Sequence, residues 1–239
     1  MKAVILAAGV GKRLWPVTQH RPKCLIEIGG QTLLSRYFSS LASAGIRRAD
    51  IVVGYKQEMI RAAAESQSFG VRVNFLVNEQ FHRGSISSLW VARTALDDDV
   101  VIMDADVLFH REILRRLVHS PYPNALLMDD SVKQTGEECM VVAGGGRVIA
   151  LTKKLPLRYD HTGEGVGFLK VRHMDTPHVV ASLRTFVDRE AWQMEYEDAL
   201  IEFFREVKVG YEVVGELPWI EIDFPTDVEK AERDVLPKL

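Results

Sequence analysis

Short apolar runs alternate with stretches of helical spacing through the first half of the chain. Leu34, Tyr37 and Leu41 recur at intervals of three and four residues, which predicts a helix that Gly45 ends. Patterns of these two kinds predict strands at residues 2–7, 50–54, 71–77 and 100–103, and helices at residues 32–44, 56–65 and 85–96, the last with Ser85 as a candidate N-cap. Strands that alternate with helices in this way predict stacked βαβ units and a mostly parallel sheet.

The second half has a different pattern, in which short strands follow one another. Strands are predicted at residues 125–128, 139–142, 148–151, 166–171, 211–214 and 219–222, and helices at residues 177–190, 197–207 and 227–236. The run Gly144-Gly145-Gly146 predicts a tight turn between two of the strands. With no internal repeat and no clean linker, the chain is predicted to form a single α/β domain over residues 1–239, with a Rossmann-like, mostly parallel but mixed sheet flanked by helices.

Composition restricts the class of protein. The 239 residues are 47% hydrophobic and 26% charged, so the chain can bury a core, and the net charge of −3 argues against a broad electrostatic grip on nucleic acid. Cys24 and Cys139 fit neither a CxxC metal site nor a disulfide scaffold, which indicates reduced thiols. No apolar run approaches the roughly 18 residues of a membrane span, and a buried strand explains the apolar N-terminal run better than a signal peptide does. We therefore expect a cytoplasmic protein.

A glycine-rich loop follows the first predicted strand. It reads Leu6-Ala7-Ala8-Gly9-Val10-Gly11-Lys12-Arg13-Leu14, and its two glycines let successive N–H groups form an anion-binding nest. The spacing is not that of a Walker loop, and Leu14 stands where a dinucleotide-binding fingerprint needs its third glycine. Arg13 and Lys23 lie ten residues apart in a proline-containing loop, so the two cations are spaced to grip a triphosphate from two sides.

This loop resembles a known signature. Leu-Ala-Ala-Gly-x-Gly-x-Arg-Leu, followed by Pro-x-Thr and Pro-Lys, is similar to the signature of sugar-nucleotide-type nucleotidyltransferases with the glycosyltransferase-A-like fold. The resemblance implies that the base and phosphates contact Leu6, Ala7, Ala8, Gly9, Gly11 and Lys12, although position 12 is usually Ser or Thr in that family. It also implies catalytic roles for Arg13, on the β- and γ-phosphates, and for Lys23, on the reacting phosphates.

Aspartates follow two of the predicted strands. Asp104 and Asp106 close the strand at residues 100–103, and Asp223 follows the apolar run near the C-terminus. Phosphoryl transfer requires neutralisation of the triphosphate charge, usually by Mg²⁺ held on carboxylates. The resemblance implies that Asp106 and Asp223 share this Mg²⁺ and that Asp104 contacts the nucleotide. The implied reaction is in-line attack of an acceptor phosphate or phosphonate oxygen on the α-phosphorus, with loss of pyrophosphate and no covalent enzyme intermediate.

The segment Gly84-Ser85-Ile86-Ser87-Ser88-Leu89-Trp90 bears on the choice of base. The family reads the base with this segment and with residues just before it, which implies nucleotide contacts for Asn78, Gly84, Ser85 and Ser88. The segment and the later Glu221-Ile222-Asp223 look like those of short cytidylyltransferases that act on phosphocholine, aminoethylphosphonate or inositol 1-phosphate. The resemblance therefore favours CTP, bound by residues 1–125, with an acceptor-binding and closing part at residues 126–239.

Side chains of the second half are candidates for binding the acceptor. The predicted acceptor-binding residues are Lys153, Glu164, Asp198, Trp219 and Glu221. Lys153 and Lys154 suit a phosphate, the acidic residues Glu137, Glu138, Glu164 and Asp198 suit an ammonium group, and the aromatic residues Trp90, Trp192, Tyr196 and Trp219 suit a cation–π wall. This mixture favours an amino-containing acceptor such as aminoethylphosphonate or phosphocholine, although the few aromatic residues near Tyr196 weaken the choline assignment.

Several alternatives stay open at this point. The acceptor could be inositol 1-phosphate, or a sugar 1-phosphate used with UTP, dTTP or GTP. A non-catalytic nucleotide sensor belongs to another class, and so does a glycosyltransferase that uses Asp104 and Asp106, which would not need the cations of the glycine loop. The expected partners are small molecules, with no nucleic acid and no membrane span, and a homodimer is left open.

Overall fold

A computed structural model describes residues 1–132, 134–136, 138–156 and 158–239. Its strands are β1 (Lys2–Ala7), β2 (Glu27–Ile28), β3 (Gln31–Thr32), β4 (Arg48–Val53), β5 (Arg72–Val77), β6 (Val100–Asp104), β7 (Val107–Phe109), β8 (Ala125–Asp129), β9 (Met140–Gly144), β10 (Arg147–Thr152), β11 (His161–Val171), β12 (Gly210–Val213) and β13 (Trp219–Glu221). Its α-helices are α1 (Leu33–Ser43), α2 (Gln57–Ser66), α3 (Ile86–Ala92), α4 (Arg111–Val118), α5 (Thr176–Val187), α6 (Tyr196–Ala199), α7 (Ile201–Glu206) and α8 (Pro225–Lys230).

A mixed sheet forms the centre of the described part of the chain. The strand order is β10-β9-β11-β6-β1-β4-β5, and β8 pairs with both β11 and β12. The strands β6, β1, β4 and β5 are parallel, as the alternation of strands and helices in the first half predicted. β11 then pairs antiparallel with β6, β8 and β9, so the second half extends the same sheet with antiparallel strands. The predicted mixed sheet flanked by helices is confirmed.

Side chains from the two faces of the sheet pack into two separate apolar layers. Along β1, Ile5 joins the layer that covers α1, α2 and α4, whereas its neighbour Val4 joins the layer that covers α3, α5, α6 and α7. Phe203 and Phe204 are fully buried in the second layer, and burial of such a side chain contributes about 1.5–3 kcal/mol. Among the described residues, no helix is both long and apolar enough to cross a bilayer.

Several elements differ from the sequence-based expectation. The strand β7 and the helix α4 were not predicted, and β11 begins at His161 rather than at residue 166. The helix predicted at residues 197–207 is two short helices, α6 and α7, and the closing helix begins at Pro225 and passes into a π-helical turn at Ala231–Val235. The turn at Gly145 and Gly146 is confirmed, since both residues have positive φ angles between β9 and β10.

The carboxyl ends of β1 and β6 lie side by side. In the parallel register of these strands Leu6 pairs with Asp104, so the glycine-rich loop leaves the sheet beside the turn that follows Asp104. Ligands of open α/β sheets bind at this edge, beyond the carboxyl ends of the strands. The fold therefore brings the two predicted features of the first half together.

Candidate functional site

The glycine-rich loop is anchored on both sides of its basic segment. Gly11 has a φ angle of 65°, a left-handed conformation that glycine adopts at little cost. The hydroxyl of Thr18 donates a hydrogen bond of 2.7 Å to the carbonyl oxygen of Gly11. Leu14 is fully buried and packs in a small apolar cluster that includes Leu108 and Ile222. The loop is thereby fixed against the strands that precede and follow the aspartates.

The residues predicted to contact base and phosphates lie where β1 passes into this loop. Leu6 is half-buried, Ala7 and Ala8 are buried, and Gly9 and Lys12 are exposed. Nothing lies within 4 Å of the position that a Cβ atom would take on Gly9, so space is open there. Their arrangement leaves the loop backbone accessible, and the individual contacts to a nucleotide stay predictions.

A buried tyrosine holds the turn between β6 and β7. The hydroxyl of Tyr37 donates a hydrogen bond of 2.5 Å to the carbonyl oxygen of Asp104 and accepts one of 3.2 Å from the backbone N–H of Val107. Burial, and next the charge of Asp106, raise the pKa of this hydroxyl, so it remains protonated. These two bonds fix the backbone on both sides of Asp106.

Asp223 approaches Asp106 because β13 pairs with β7. The pairing is antiparallel, and the backbone N–H of Ile222 donates to the carbonyl oxygen of Asp106 at 3.0 Å. The helix α8 begins just after Asp223, and Oδ2 of Asp227 accepts hydrogen bonds from the backbone N–H groups of Asp223 and Phe224 at 3.1 and 2.8 Å. The backbone of Asp223 is thus held from both sides.

Lys23 joins the two aspartates. Its ammonium group donates to Oδ2 of Asp106 and to Oδ1 of Asp223, at 2.6 Å in both cases, and Arg13 donates to Oδ2 of Asp223 at 2.6 Å. Burial alone would lower the pKa of Lys23, but the charges of Asp106 and Asp223 outweigh it and raise that pKa. The structure therefore brings the predicted catalytic cations and the predicted metal ligands to one place.

The carboxylates at this place fit a divalent cation. Asp106, Glu221 and Asp223 each offer an oxygen, and these oxygens lie within 4.8 Å of one another. Oδ1 of Asp106 is buried without a hydrogen-bond partner among the described residues. Burial, together with Asp106 and Asp223, raises the pKa of Glu221 to about 8, so Lys23 compensates the negative charge only in part. Since Mg²⁺ prefers carboxylate oxygens, the donor set suits the predicted metal.

Asp104 lies outside this group of three carboxylates. Its Oδ2 accepts a hydrogen bond of 2.8 Å from the hydroxyl of Tyr196. A Cβ atom on Gly167 would lie 2.5 Å from the same oxygen, so only glycine leaves room for this carboxylate. Burial, and then Glu197 and Asp106, raise the pKa of Asp104 well above its ordinary value. Asp104 lines the cavity beside the site, where its predicted contact with the nucleotide stays a prediction.

The Gly84–Ser85 turn is covered by a segment of the second half, residues 192–196. The backbone N–H of Gly84 donates to the carbonyl oxygen of Trp192 at 2.7 Å, and a Cβ atom on Gly84 would collide with the backbone of residues 192–194. Ser85 stands at the N-cap position of α3, but its hydroxyl does not cap the helix. It accepts instead from the backbone N–H of Tyr196 at 2.8 Å, which corrects the predicted capping role.

Asn78 and Ser88 lie behind this turn. Asn78 is 1% exposed, and its amide nitrogen donates to the hydroxyls of Ser87 and Ser88 at 2.9 and 3.0 Å. Its amide oxygen accepts from the backbone N–H of Gln80 at 2.9 Å. The polar atoms of Asn78 are therefore used within the protein. The structure gives Asn78 and Ser88 a supporting position, and a direct contact with a base stays a prediction.

A cavity of about 600 Å³ opens beside the ion cluster. Its charged lining residues are Arg13, Lys23, Asp104, Asp106, Lys153, Lys154, Glu195, Glu197, Asp198, Glu221 and Asp223. Glu195, Glu197 and Asp198 surround the start of α6, and none of them forms an ion pair with another described residue. Burial raises the pKa of Glu197 to about 7, and Glu195 and Asp198 add to the rise. One wall of the cavity is therefore acidic.

The other predicted acceptor-binding residues have different positions. Lys153, Asp198 and Glu221 line the cavity, whereas Trp219 does not line it and donates from its indole N–H to Oδ2 of Asp129 at 2.7 Å. This hydrogen bond connects Trp219 to the end of β8, and its predicted aromatic contact with an acceptor stays a prediction. Burial, and next Glu138 and Asp129, raise the pKa of Glu164 on β11 to about 7.

Two other aromatic candidates stack on arginines away from the lining. Trp90 lies under Arg93, and Trp192 lies under Arg83. Tyr196 lines the cavity, and Glu137 lies outside the described residues.

Sequence reasoning did not assign three residues of the candidate site. Tyr37 was predicted only as a core residue of α1, because the helical spacing of apolar residues says nothing about its hydroxyl. Glu195 and Glu197 flank Tyr196 but were not assigned to the acceptor, although the acidic run Glu195-Tyr196-Glu197-Asp198 was a signal that could have identified them.

Known proteins resemble this chain in sequence. Residues 2–125 match the model of a family described as nucleotidyl transferase. The chain is 26% identical to the CMP-5'-(3-aminopropyl)phosphonate synthase of Streptomyces rubellomurinus, over 97% of this chain but only 38% of that protein. It is 24% identical to the CTP:phosphoglutamine cytidylyltransferase of Campylobacter jejuni, over 96% of this chain and 98% of that protein.

Solved structures share the fold. The CTP:phosphocholine cytidylyltransferase from Streptococcus pneumoniae superposes with a TM-score of 0.78 at 23% identity, and the alignment covers 97% of each chain. The inositol-1-phosphate CTP transferase from T. maritima gives a TM-score of 0.79 at 19% identity, with 99% of this chain and 95% of that chain covered. Because both identities are below 25%, the superpositions show that the fold is shared and nothing further.

Proposed function

The chain belongs to the nucleotidyl transferase family, and we propose that it transfers CMP from CTP to a small phosphonate or phosphate acceptor that carries a cationic amino group. One observation carries the proposal: the ammonium of Lys23 lies 2.6 Å from both Asp106 and Asp223. The cations of the glycine loop and the carboxylates suited to a metal thus meet beside one cavity. CTP is favoured by the names of relatives such as the CTP:phosphoglutamine cytidylyltransferase.

The chemistry requires few groups. An anionic acceptor oxygen attacks the α-phosphorus of CTP, a new O–P bond forms, the bond to the β-phosphate oxygen breaks, and pyrophosphate leaves with its charge. Arg13 and Lys23 hold the triphosphate and stabilise charge as it moves to the leaving group, and orientation provides the remaining acceleration. Mg²⁺ held by Asp106 and Asp223, with Glu221 alongside, would supply charge neutralisation at the triphosphate. No base is needed because the attacking oxygen is already ionised.

The acidic wall supports an amino-containing acceptor. Glu195, Glu197 and Asp198 form no ion pair with another described residue, although the charge of Lys153 acts on Asp198, and an ammonium group would supply a direct cationic partner. Lys153 and Lys154, which also line the cavity, are candidates for the phosphonate or phosphate end of the acceptor.

The wall also favours a primary amine over a quaternary one. The aromatic residues among the described lining are Phe168 and Tyr196, and both are buried, so the open aromatic faces that suit a trimethylammonium group are lacking there. Carboxylates accept hydrogen bonds, which a primary ammonium group can donate. An aminoalkylphosphonate therefore fits the cavity better than phosphocholine.

A pyrophosphate-release assay with Mg²⁺ tests the proposal. CTP, UTP, dTTP and GTP are each combined with 2-aminoethylphosphonate, 3-aminopropylphosphonate, phosphocholine, inositol 1-phosphate and glucose 1-phosphate, and Lys23→Ala serves as the inactive control. We expect release with CTP and an aminoalkylphosphonate. Release with a sugar phosphate and UTP or dTTP would overturn both base and acceptor. No release with any pair, despite tight CTP binding, would favour a nucleotide sensor.

A further inference from the structure

Three of the four carboxylate oxygens of Asp106 and Asp223 are already bound by cations of the glycine loop. Lys23 takes Oδ2 of Asp106 and Oδ1 of Asp223, and Arg13 takes Oδ2 of Asp223. The fourth oxygen, Oδ1 of Asp106, is buried without a hydrogen-bond partner among the described residues. Of the three side chains suited to bind a metal, Asp106 and Asp223 are thus paired within the protein.

These ion pairs are not loose surface contacts. The side chains of Lys23, Asp106 and Asp223 are only 15%, 21% and 19% exposed, so solvent and salt screen their attraction incompletely. Arg13 differs, since its side chain is 51% exposed at the rim. The two ion pairs of Lys23 should therefore contribute most of the free energy that a metal ion has to overcome, and the ion pair of Arg13 should contribute less.

The same groups have a second set of partners in the proposed reaction. Lys23 gives two of its three N–H donors to the aspartates and Arg13 gives one of its donors to Asp223, so the phosphates of a nucleotide compete with the aspartates for these cations. A divalent cation binds these three oxygens less tightly while an ammonium and a guanidinium remain on them, because like charges repel at such distances. Both the nucleotide and the metal therefore compete with the same internal ion pairs.

We propose that Lys23 and Arg13 form an internal cation latch on the metal site, which the triphosphate releases, so that nucleotide and divalent metal bind cooperatively. This inference rests on the proposed function, because it assigns the phosphates as the alternative partner of the two cations. By thermodynamic reciprocity, the nucleotide must tighten metal binding by the same factor by which the metal tightens nucleotide binding. The latch would also keep the site from taking up metal before its substrate.

Metal binding to the free protein is the direct test, because it needs no turnover. Mn²⁺ binding is measured by electron paramagnetic resonance of the unbound ion, for the wild-type chain, Lys23→Gln and Arg13→Gln, each without nucleotide. Arg21→Gln is the matched control, since Arg21 is an exposed cation of the same loop that pairs with Glu27. A second series adds CTP without acceptor, with the Mn²⁺ bound by CTP alone measured in protein-free samples.

We expect Lys23→Gln to tighten Mn²⁺ binding about tenfold or more without nucleotide, which lies within the usual range of coupling between sites. Arg13→Gln should also tighten Mn²⁺ binding, but by a smaller factor than Lys23→Gln. Arg21→Gln should leave the Mn²⁺ affinity near the wild-type value. CTP should tighten Mn²⁺ binding to the wild-type chain and should have a smaller effect on Lys23→Gln. If Lys23→Gln does not fold, the Mn²⁺ affinity of Arg13→Gln without nucleotide tests the latch.

Wild-type Mn²⁺ affinity in both Lys23→Gln and Arg13→Gln would overturn the latch and leave CMP transfer standing. An equal shift in Arg21→Gln would also overturn it, because a general loss of positive charge would then explain the result. Failure of the proposed function has a different signature: CTP does not bind, although Lys23→Gln still tightens Mn²⁺ without nucleotide. That result would keep the ion-pair competition but would remove the triphosphate as the group that releases it.

Discussion

The hydroxyl of Tyr196 donates a 2.8 Å hydrogen bond to Oδ2 of Asp104 and so joins α6, at the acidic wall of the cavity, to the carboxyl end of β6. The backbone N–H of the same tyrosine donates to the hydroxyl of Ser85 at 2.8 Å. Tyr196 therefore connects three parts of the site: the acidic wall, the strand before Asp106 and the turn at the start of α3.

Tyr196→Phe should cost stability, because it removes the only hydroxyl that donates to the buried carboxyl of Asp104 in the described part of the chain. We expect a loss of about 1–3 kcal/mol in the free energy of unfolding, the usual cost of leaving a buried polar group without its partner. Urea denaturation measures it. The activity should fall mainly through kcat/KM for the acceptor, since α6 forms the acidic wall.

Tyr122→Phe is the matched control, because Tyr122 is exposed and its hydroxyl makes no hydrogen bond with a described residue. Equal unfolding free energies for Tyr196→Phe and the wild-type chain would mean that the bond to Asp104 contributes nothing to stability.

Much of the parallel half of the fold could be predicted because β1, β4 and β6 are buried along most of their length and carry short apolar runs. Helix α4 was missed although Ile113, Leu114 and Leu117 have helical spacing, since the segment is short and rich in charge. Ser85 was misjudged for a different reason. Its hydroxyl has a partner, Tyr196, that lies 111 positions away along the chain.

The site shows the same division between local and distant information. The glycine loop and the aspartates that end strands are local patterns, so Arg13, Lys23 and Asp106 could be named from the sequence. The ion pairs of Lys23 join residues 83 and 200 positions apart, and no spacing rule predicts which cation meets which carboxylate. For the same reason the hydrogen bond from Trp219 to Asp129, 90 positions away, could not be predicted.

Asp106→Asn and Asp223→Asn should each raise the Mg²⁺ concentration needed for half-maximal activity. We expect an increase of about tenfold or more, since replacing even a residue that only supports a metal ligand costs about 10–100-fold. Pyrophosphate release over a Mg²⁺ titration at saturating CTP measures it.

The control is Asp130→Asn, which removes one negative charge from an exposed position next to β8. An unchanged Mg²⁺ requirement in both site variants would mean that the metal lies elsewhere in the chain.

Glu164→Gln should stabilise the protein at pH 8 and have little effect near pH 4. Burial, and next Glu138 and Asp129, raise the pKa of Glu164 from 4.5 to about 7. Between these values the folded chain keeps the proton that the unfolded chain has lost, so the stability of the wild-type protein falls as pH rises and levels off above about 7. The glutamine of Glu164→Gln cannot ionise, so the variant does not lose this stability. Above about pH 7 its free energy of unfolding should exceed that of the wild type by about 1–2 kcal/mol, after allowance for solvent screening.

Urea denaturation of both proteins from pH 4 to pH 8 measures the difference, which should grow between about pH 4.5 and 7. Glu216→Gln, a change at an exposed glutamate, is the control. Its free energy of unfolding should differ from that of the wild type by the same amount at every pH. A pH-independent offset for Glu164→Gln as well would contradict the raised pKa.

The preference for an amino group should depend on Glu197. We compare 2-aminoethylphosphonate with ethylphosphonate, which differ only in the amine, through the ratio of their kcat/KM values. Glu197→Gln should lower this ratio by about 10- to 100-fold, or about 1.4–2.8 kcal/mol, because the acidic wall loses its most buried carboxylate. Since the pKa of Glu197 is raised to about 7, the wild-type ratio should also increase with pH from 6 to 8, while the amine stays protonated.

Glu229→Gln is the control, because Glu229 is exposed and does not line the cavity. A fall in activity with both acceptors by the same factor would mean that Glu197 supports the site as a whole rather than the amine. In that case the ratio would stay flat between pH 6 and 8, and the acidic wall would no longer favour an amino-containing acceptor over inositol 1-phosphate. A loss confined to 2-aminoethylphosphonate, together with a pH-independent ratio in Glu197→Gln, would assign amine recognition to this carboxylate.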